Sequence, residues 1–204
     1  MIINDPIYTV TPEVGGYLKG NIPGLIFARE AQYLYHAPKR LGAGYYADLG
    51  TFQGLSTAAL AKGIIDHGVD AKVISIDTFA CTGVSEKNHP ADSSKNAVAF
   101  TLERLKLNHV TELHELDFTT ASSIFESFSF NFIFLDGSHD FDSVMRDFFN
   151  WHPLLKPGGE FAFHDAIGKT RGKKVWKLME MMPDMGWEQV AQERSTMVWR
   201  KPLD

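Results

Sequence analysis

Apolar positions along the chain fall into two alternating rhythms. Short blocks of four to six consecutive apolar residues alternate with longer stretches in which apolar residues return every three or four positions. The first rhythm predicts buried parallel strands and the second predicts helices packed on them. The clearest block is Phe130–Leu135, mostly apolar, β-branched or aromatic, and stopped by Asp136-Gly137-Ser138-His139. Similar blocks at Tyr45–Leu49, Val73–Ile76, Val110–Leu116 and Glu160–His164 predict four more strands. Between them, helices are expected at 55–65, 97–107, 119–128, 142–151 and 171–182, with a further one ahead of the first strand at 22–39, ended by Pro38. Trp187–Gln192 and Thr196–Arg200, separated by Glu193-Arg194-Ser195, predict a closing antiparallel hairpin. Strands alternating with helices imply an α/β, doubly wound sheet.

Two stretches lack either rhythm. Residues 1–22, rich in Pro, Gly and Thr, are expected to form an N-terminal arm or lid. The remainder, 23–204, forms one domain. Thr78–Ser94 is a long irregular loop, of the kind that usually serves a site.

Composition narrows the function classes. At 204 residues, 44% hydrophobic and 22% charged, the chain suits a folded domain with a substantial core. A net charge of -5 gives no basic footprint, so no nucleic-acid partner is expected. The single cysteine, Cys81, allows no internal disulfide and favours a reducing, cytoplasmic setting. Neither a leader-like start nor a membrane-spanning apolar run is present, so no membrane association is expected.

The chemistry lies where strands end. Acids stand at or near five strand ends: Asp48, Asp77, Asp117, Asp136 and Asp165. In open α/β sheets, ligands bind just beyond these ends. The first turn, Asp48-Leu-Gly-Thr-Phe-Gln-Gly54, has Phe52 where a dinucleotide fingerprint needs its second glycine, which disfavours NAD. Asp48 is a candidate partner for an ammonium group, directly or through water. Ser56, opening the next helix, is a candidate for a carboxylate. Asp77 is placed to accept two ribose hydroxyls. Asp117 offers an acceptor for an adenine amino group, with Phe118 along the ring. Together with Gly50, Thr51 and Phe52 of the turn, and Thr78 after the second strand, they describe a pocket for S-adenosylmethionine. Asp140 and Asp142 suit helix N-caps. Most other histidines read as packing or surface residues, with His89 the one in a loop able to reach substrate.

The ordered set Asp48–Gly54 with Ser56, Ile76-Asp77, Leu135–His139, Leu155-Lys-Pro-Gly-Gly159 and His164-Asp165 resembles class I S-adenosylmethionine-dependent methyltransferases. It is most similar to the metal-dependent O-methyltransferases of the macrocin and mycinamicin type, and more distantly to catechol O-methyltransferase. That resemblance covers roughly residues 22–200. It implies a Rossmann-like, seven-stranded sheet, mostly parallel with a C-terminal antiparallel strand. It also implies methyl transfer to a hydroxyl of a small sugar or polyhydroxylated molecule, and a frequent homo-oligomer. In such enzymes Asp136 and an acid matching Asp165 hold a divalent cation, Mg²⁺ or Mn²⁺, and His139 serves as general base. His164 stands where the family has an acid, and either joins the metal or faces away from it. Two other readings stay open: a metal-independent methyltransferase, and a protein that binds the cofactor without turnover.

Overall fold

The computed structural model describes residues 13–80, 93–127, 129–168 and 173–203. The arm segment 1–12, Cys81, His89 and most of the 78–94 loop, and residues 169–172 of the basic run before the last helix, lie outside the described residues.

The chain builds one seven-stranded sheet with helices on both faces. In order come α1 (Glu13–Asn21), α2 (Ala28–Leu41), β1 (Gly44–Leu49), α3 (Leu55–Asp66), β2 (Ala71–Asp77), α4 (Lys95–Arg104) and β3 (Thr111–Glu115). Then follow α5 (Phe118–Ser122), β4 (Phe130–Leu135), α6 (Phe141–Trp151), β5 (Leu155–Phe163), α7 (Trp176–Met181), β6 (Glu188–Glu193) and β7 (Thr196–Arg200). The strand order is β3-β2-β1-β4-β5-β7-β6. All neighbours are parallel except β7, which runs antiparallel to both β5 and β6. The order reverses between β1 and β4, and that switch point is where such sheets open a crevice.

Alternation along the strands divides the core in two. On β4, Phe132 and Phe134 point into the layer formed with α1, α2, α3 and α4. Ile133 and Leu135 point into the opposite layer, with Val144, Phe148 and Trp151 of α6 and Leu178 of α7. Every residue of β4 is buried, which is why its sequence is a continuous apolar run rather than an alternation. No helix among the described residues is long and apolar enough to cross a membrane.

Several boundaries differ from the sequence expectation. Part of the expected arm is a helix, α1, whose Leu18, like the Ile22 that follows it, is 1% exposed in the core. Val14, Leu18 and Ile22 keep a four-residue spacing, but Gly15, Gly16 and Gly20 mask it, since glycine disfavours helix. Gly15 is needed there: a Cβ on it would sit 2.1 Å from the Ala28 carbonyl oxygen of α2. Helix α2 begins six residues later than expected and runs past Pro38 to Leu41. Pro38 removes one N–H, and Gly42 closes the helix by donating to the Pro38 carbonyl. Strand β5 begins at Leu155, so Pro157-Gly158-Gly159 is an irregularity inside the strand, where pairing jumps from Phe130↔Leu155 to Phe132↔Glu160. Helix α5 is shorter than expected, ending at Ser122.

Candidate active site

A cavity of about 810 Å³ opens at the switch point, bounded by Gly50, Thr51, Phe52 and Ser56 from the first turn, and by Asp77, Thr78, Asp117, Phe118, Asp136 and His139 from later strand ends. The strands place these residues. β1 and β4 run side by side, and their ends come so close that a Cβ on Gly50 would lie 2.1 Å from the Asp136 carbonyl oxygen. Gly50 has φ +105°, which a larger residue rarely adopts. Gly137 lets the Phe118 ring lie against the β4 turn, since a Cβ there would meet Phe118 Cε2 at 2.5 Å.

The acids at the strand ends play distinct parts. Asp77 Oδ2 accepts the Phe52 N–H at 2.9 Å and Oδ1 accepts the Phe79 N–H at 2.8 Å, which fixes the carboxylate at the cavity edge with lone pairs to spare. Asp48 is the correction: it is fully buried beneath the cavity and is not part of its wall. A direct contact with a ligand ammonium is therefore closed in this structure. Its Oδ2 accepts the Ser56 and Thr57 hydroxyls, while Oδ1 has no partner among the described residues. Ser56 lines the cavity, but its hydroxyl is committed to Asp48 rather than turned to a ligand carboxylate. Burial pushes the Asp48 carboxyl up to about 7, against the two hydroxyls that lower it. Asp117 caps α5, with Oδ1 accepting from Thr120 N–H at 2.9 Å and Oδ2 from Thr120 Oγ1 at 2.6 Å. It remains on the wall beside Phe118. Asp140 caps α6 through the Ser143 N–H at 3.0 Å.

Asp136 and His139 of the cavity wall meet His164 and Asp165, and the ligand atoms of the four lie within 4.8 Å of one another. Asp165, just after β5, has φ +53°, an uncommon conformation for a residue with a side chain. His139 Nε2 lies 3.1 Å from Asp165 Oδ2 and 3.6 Å from Asp136 Oδ1. His164 Nδ1 lies 2.9 Å from Asp136 Oδ1. Lys173 Nζ donates to Asp165 Oδ2 at 2.5 Å. The two carboxylates beside His139 raise its imidazole to about 9. Burial would lower His164, but Asp136 and Glu30 outweigh it and hold the ring at about 10. Asp136 and Asp165 are in turn held below the usual carboxylate range, against their burial, by the neighbouring imidazoles and, at Asp165, by Lys173.

These groups fit a divalent cation. His139 Nε2 is buried among carboxylates yet makes no aligned hydrogen bond among the described residues, an unmet polar atom facing the cluster. Two carboxylates and two neutral imidazoles would balance a double positive charge, at the expense of the imidazole protons. A mixed nitrogen and oxygen donor set suits Mn²⁺, Fe²⁺ or Zn²⁺ better than Mg²⁺.

A family model described as a methyltransferase domain matches residues 47–166, more than half of the chain. The chain belongs to this methyltransferase family. The matched segment runs from β1 to just past Asp165. The chain shares its fold with the O-methyltransferase NovP, at a TM-score of 0.70 and 15% identity over 94% of this chain and 88% of that one. An O-methyltransferase from Bacillus cereus, solved with S-adenosylhomocysteine, gives a TM-score of 0.63 and 17% identity, over 98% and 93% of the two chains. The methyltransferase PaMTH1 of Podospora anserina gives 0.67 and 13%, over 99% and 89%. Protein y4gI of Sinorhizobium fredii is 25% identical over 147 residues, 71% of this chain. The chain spans 15% of that curated relative's length.

Sequence reasoning missed part of the cavity wall: Gly24, Leu25 and Ile26 before α2, and Arg146 and Asp147 on α6. Asp147 is 3% exposed on a helix whose apolar face was legible, and a charge on that face was the available signal. It also missed Glu30, buried at 1% behind His164.

Proposed function

We propose that this methyltransferase moves the methyl group of S-adenosylmethionine to a hydroxyl of a small polyhydroxylated molecule, such as a sugar, with help from a divalent cation. The observation that carries this reading is one cavity whose wall includes both Asp77 with Phe118 and Asp136 with His139, the latter two belonging to the cluster completed by His164 and Asp165.

Asp77 accepts the ribose hydroxyls, and the Phe118 ring covers the adenine beside Asp117. Gly50, Thr51, Phe52, Ser56 and Thr78 complete the cofactor's walls. The Asp48 carboxylate supports this floor through Ser56 and Thr57 instead of meeting the ligand. The cofactor, when bound, supplies the electrophilic methyl group. Asp136, Asp165 and His164 are the residues that would hold the cation, which when bound supplies Lewis-acid stabilisation of charge developing on oxygen. His139 takes the hydroxyl proton on Nε2. The carboxylates of Asp136 and Asp165 raise the ring to about 9, so His139 reaches its neutral, proton-accepting form once a bound cation offsets their charge, and they would stabilise the imidazolium that results. Walls from the 24–26 segment and α6 orient the acceptor and exclude water.

The test begins with calorimetric titration of S-adenosylhomocysteine into the wild type and Asp77→Ala. It continues with transfer of labelled methyl to vicinal-diol sugars, before and after complete chelation. The expected result is binding lost in the variant, and transfer that stops on chelation and returns with Mn²⁺. No binding to the wild type would sink the cofactor assignment. Transfer indifferent to chelation would move the protein to the metal-independent class.

A further inference from the structure

Glu30 is a carboxylate in the wrong place for a simple core residue. It sits in the first turn of α2, 1% exposed, on a chain segment remote from the family's strand-end acids. Both oxygens are fully employed. Oε2 accepts the Phe27 N–H at 2.7 Å, while Oε1 accepts the Ser195 N–H at 3.1 Å, the Ser195 hydroxyl at 2.8 Å and the Thr196 hydroxyl at 3.0 Å. His164 Nε2 lies 3.5 Å from Glu30 Oε2 and 3.2 Å from Ser195 Oγ.

This arrangement decides where His164 keeps a proton. The Ser195 hydroxyl hydrogen is committed to Glu30, so toward His164 the serine offers a lone pair. Glu30 offers only lone pairs. Nε2 is therefore the N–H of the ring. Its other nitrogen, Nδ1, faces Asp136 Oδ1 at 2.9 Å. In the neutral ring that nitrogen is a bare lone pair opposed to a carboxylate lone pair, which is stable only with a positive charge between them. A proton is one such charge and a metal ion is the other. Two ligands each about 2.1 Å from one ion, at a right angle, stand about 3 Å apart, which is the separation found.

We propose that Glu30, with Ser195 as its relay, is a positioning residue that holds His164 as the Nε2–H tautomer, so that Nδ1 becomes a ligand to the same cation as Asp136. A carboxylate behind a ligating histidine fixes the ring's tautomer and orientation and strengthens the nitrogen as a donor. The inference rests on the cation site of the preceding section. It accounts for the histidine at 164 where the family resemblance places an acid: the negative charge of the site is supplied one residue further back, by Glu30, and reaches the ion through the ring.

The test is Mn²⁺ titration, followed by calorimetry and by the loss of the free-ion EPR signal, into the wild type and Glu30→Gln. Glutamine keeps the shape but turns an N–H toward Nε2, which favours the opposite tautomer and takes Nδ1 away from the ion. The expected result is Mn²⁺ affinity about 10- to 100-fold weaker, with S-adenosylhomocysteine affinity unchanged. Equal Mn²⁺ affinity in the two proteins overturns the inference and leaves the cation site standing. No Mn²⁺ bound by the wild type removes the site itself, and the inference with it. A second measurement needs no variant: ¹⁵N NMR of histidine-labelled wild type, titrated with Zn²⁺. His164 is expected to show a protonated Nε2 throughout and a large shift at Nδ1 on metal addition. A His164 that keeps its Nδ1–H while His139 shifts overturns the role given to Glu30.

Discussion

Asp48 offers a quantitative test of how the floor of the cavity is built. Its carboxyl is wholly buried, one oxygen bonded to two hydroxyls and the other unpartnered among the described residues. Desolvation dominates and raises the group from 3.8 to about 7. Between those values the folded protein holds a proton that the unfolded chain has released. Stability from this site is thus fully present below the unfolded value and is lost as pH rises through the folded one. The shift from 3.8 to about 7 corresponds to about 4 kcal/mol over the whole window. Asp48→Asn removes the titration. Its amide oxygen can accept from Ser56 and Thr57, while its NH₂ lacks an acceptor, a pH-independent cost of about 1–3 kcal/mol. The assay is urea unfolding of both proteins at several pH values, without cofactor and with chelator. Subtracting one curve from the other cancels every other titrating group. Relative to the wild type, the variant is expected to gain about 2.5 kcal/mol between pH 5 and pH 8. A difference that stays constant across that range would refute the reasoning, because Asp48 would then ionise like an exposed acid.

Three further perturbations separate the roles of other residues. His139→Ala is expected to lower the turnover rate about 10²- to 10⁴-fold with Mn²⁺ and S-adenosylhomocysteine affinities little changed; a collapse of Mn²⁺ affinity in calorimetry would make His139 a ligand instead of a base. Lys173→Met frees Asp165 from its ammonium partner, so Mn²⁺ binding should tighten by up to about fivefold, read by the same titration. Gly63→Ala would add about 1 kcal/mol of helix propensity in an open helix, but here the new Cβ would lie 2.0 Å from the Tyr35 carbonyl oxygen of α2. Thermal unfolding should show a net loss of about 1–3 kcal/mol, and a higher melting temperature would contradict the packing described.

The strands were legible because each carries its burial in its own residues. Phe130–Leu135 is buried on both faces, and its sequence could scarcely form anything else at that length. The acids that follow the strands were legible for the same reason, since position relative to a strand end is a local property. Helix α1 was not, because three glycines suppress its propensity and packing of Leu18 and Ile22 supplies what propensity lacks. Asp48 and Ser56 carry chemistry at a legible strand end, but their mutual hydrogen bond turns both toward each other, a contact that depends on the folded turn rather than on either residue's local sequence. Glu30 had no local signature as a site residue. Its first-turn position reads as a capping glutamate, which it also is through Phe27, and its partners Ser195 and Thr196 stand at the other end of the chain.

The bond from Glu30 to Ser195 joins residues 165 positions apart, which carries a consequence for synthesis. During translation, β1, β2 and β4 with their strand-end acids can pair while the last segment is still within the ribosome. His164 can then face Asp136, but the Glu30 behind it lacks the Ser195 and Thr196 donors that fix it until the β6–β7 hairpin arrives and β7 slips between β5 and β6. Contacts of such sequence separation form late and slowly. A nascent chain should therefore acquire its cofactor pocket before its metal affinity, and Mn²⁺ uptake would report completion of the sheet. A minimal fragment cut to residues 47–166 keeps the family's matched core yet loses both Glu30 and the hairpin that holds it in place.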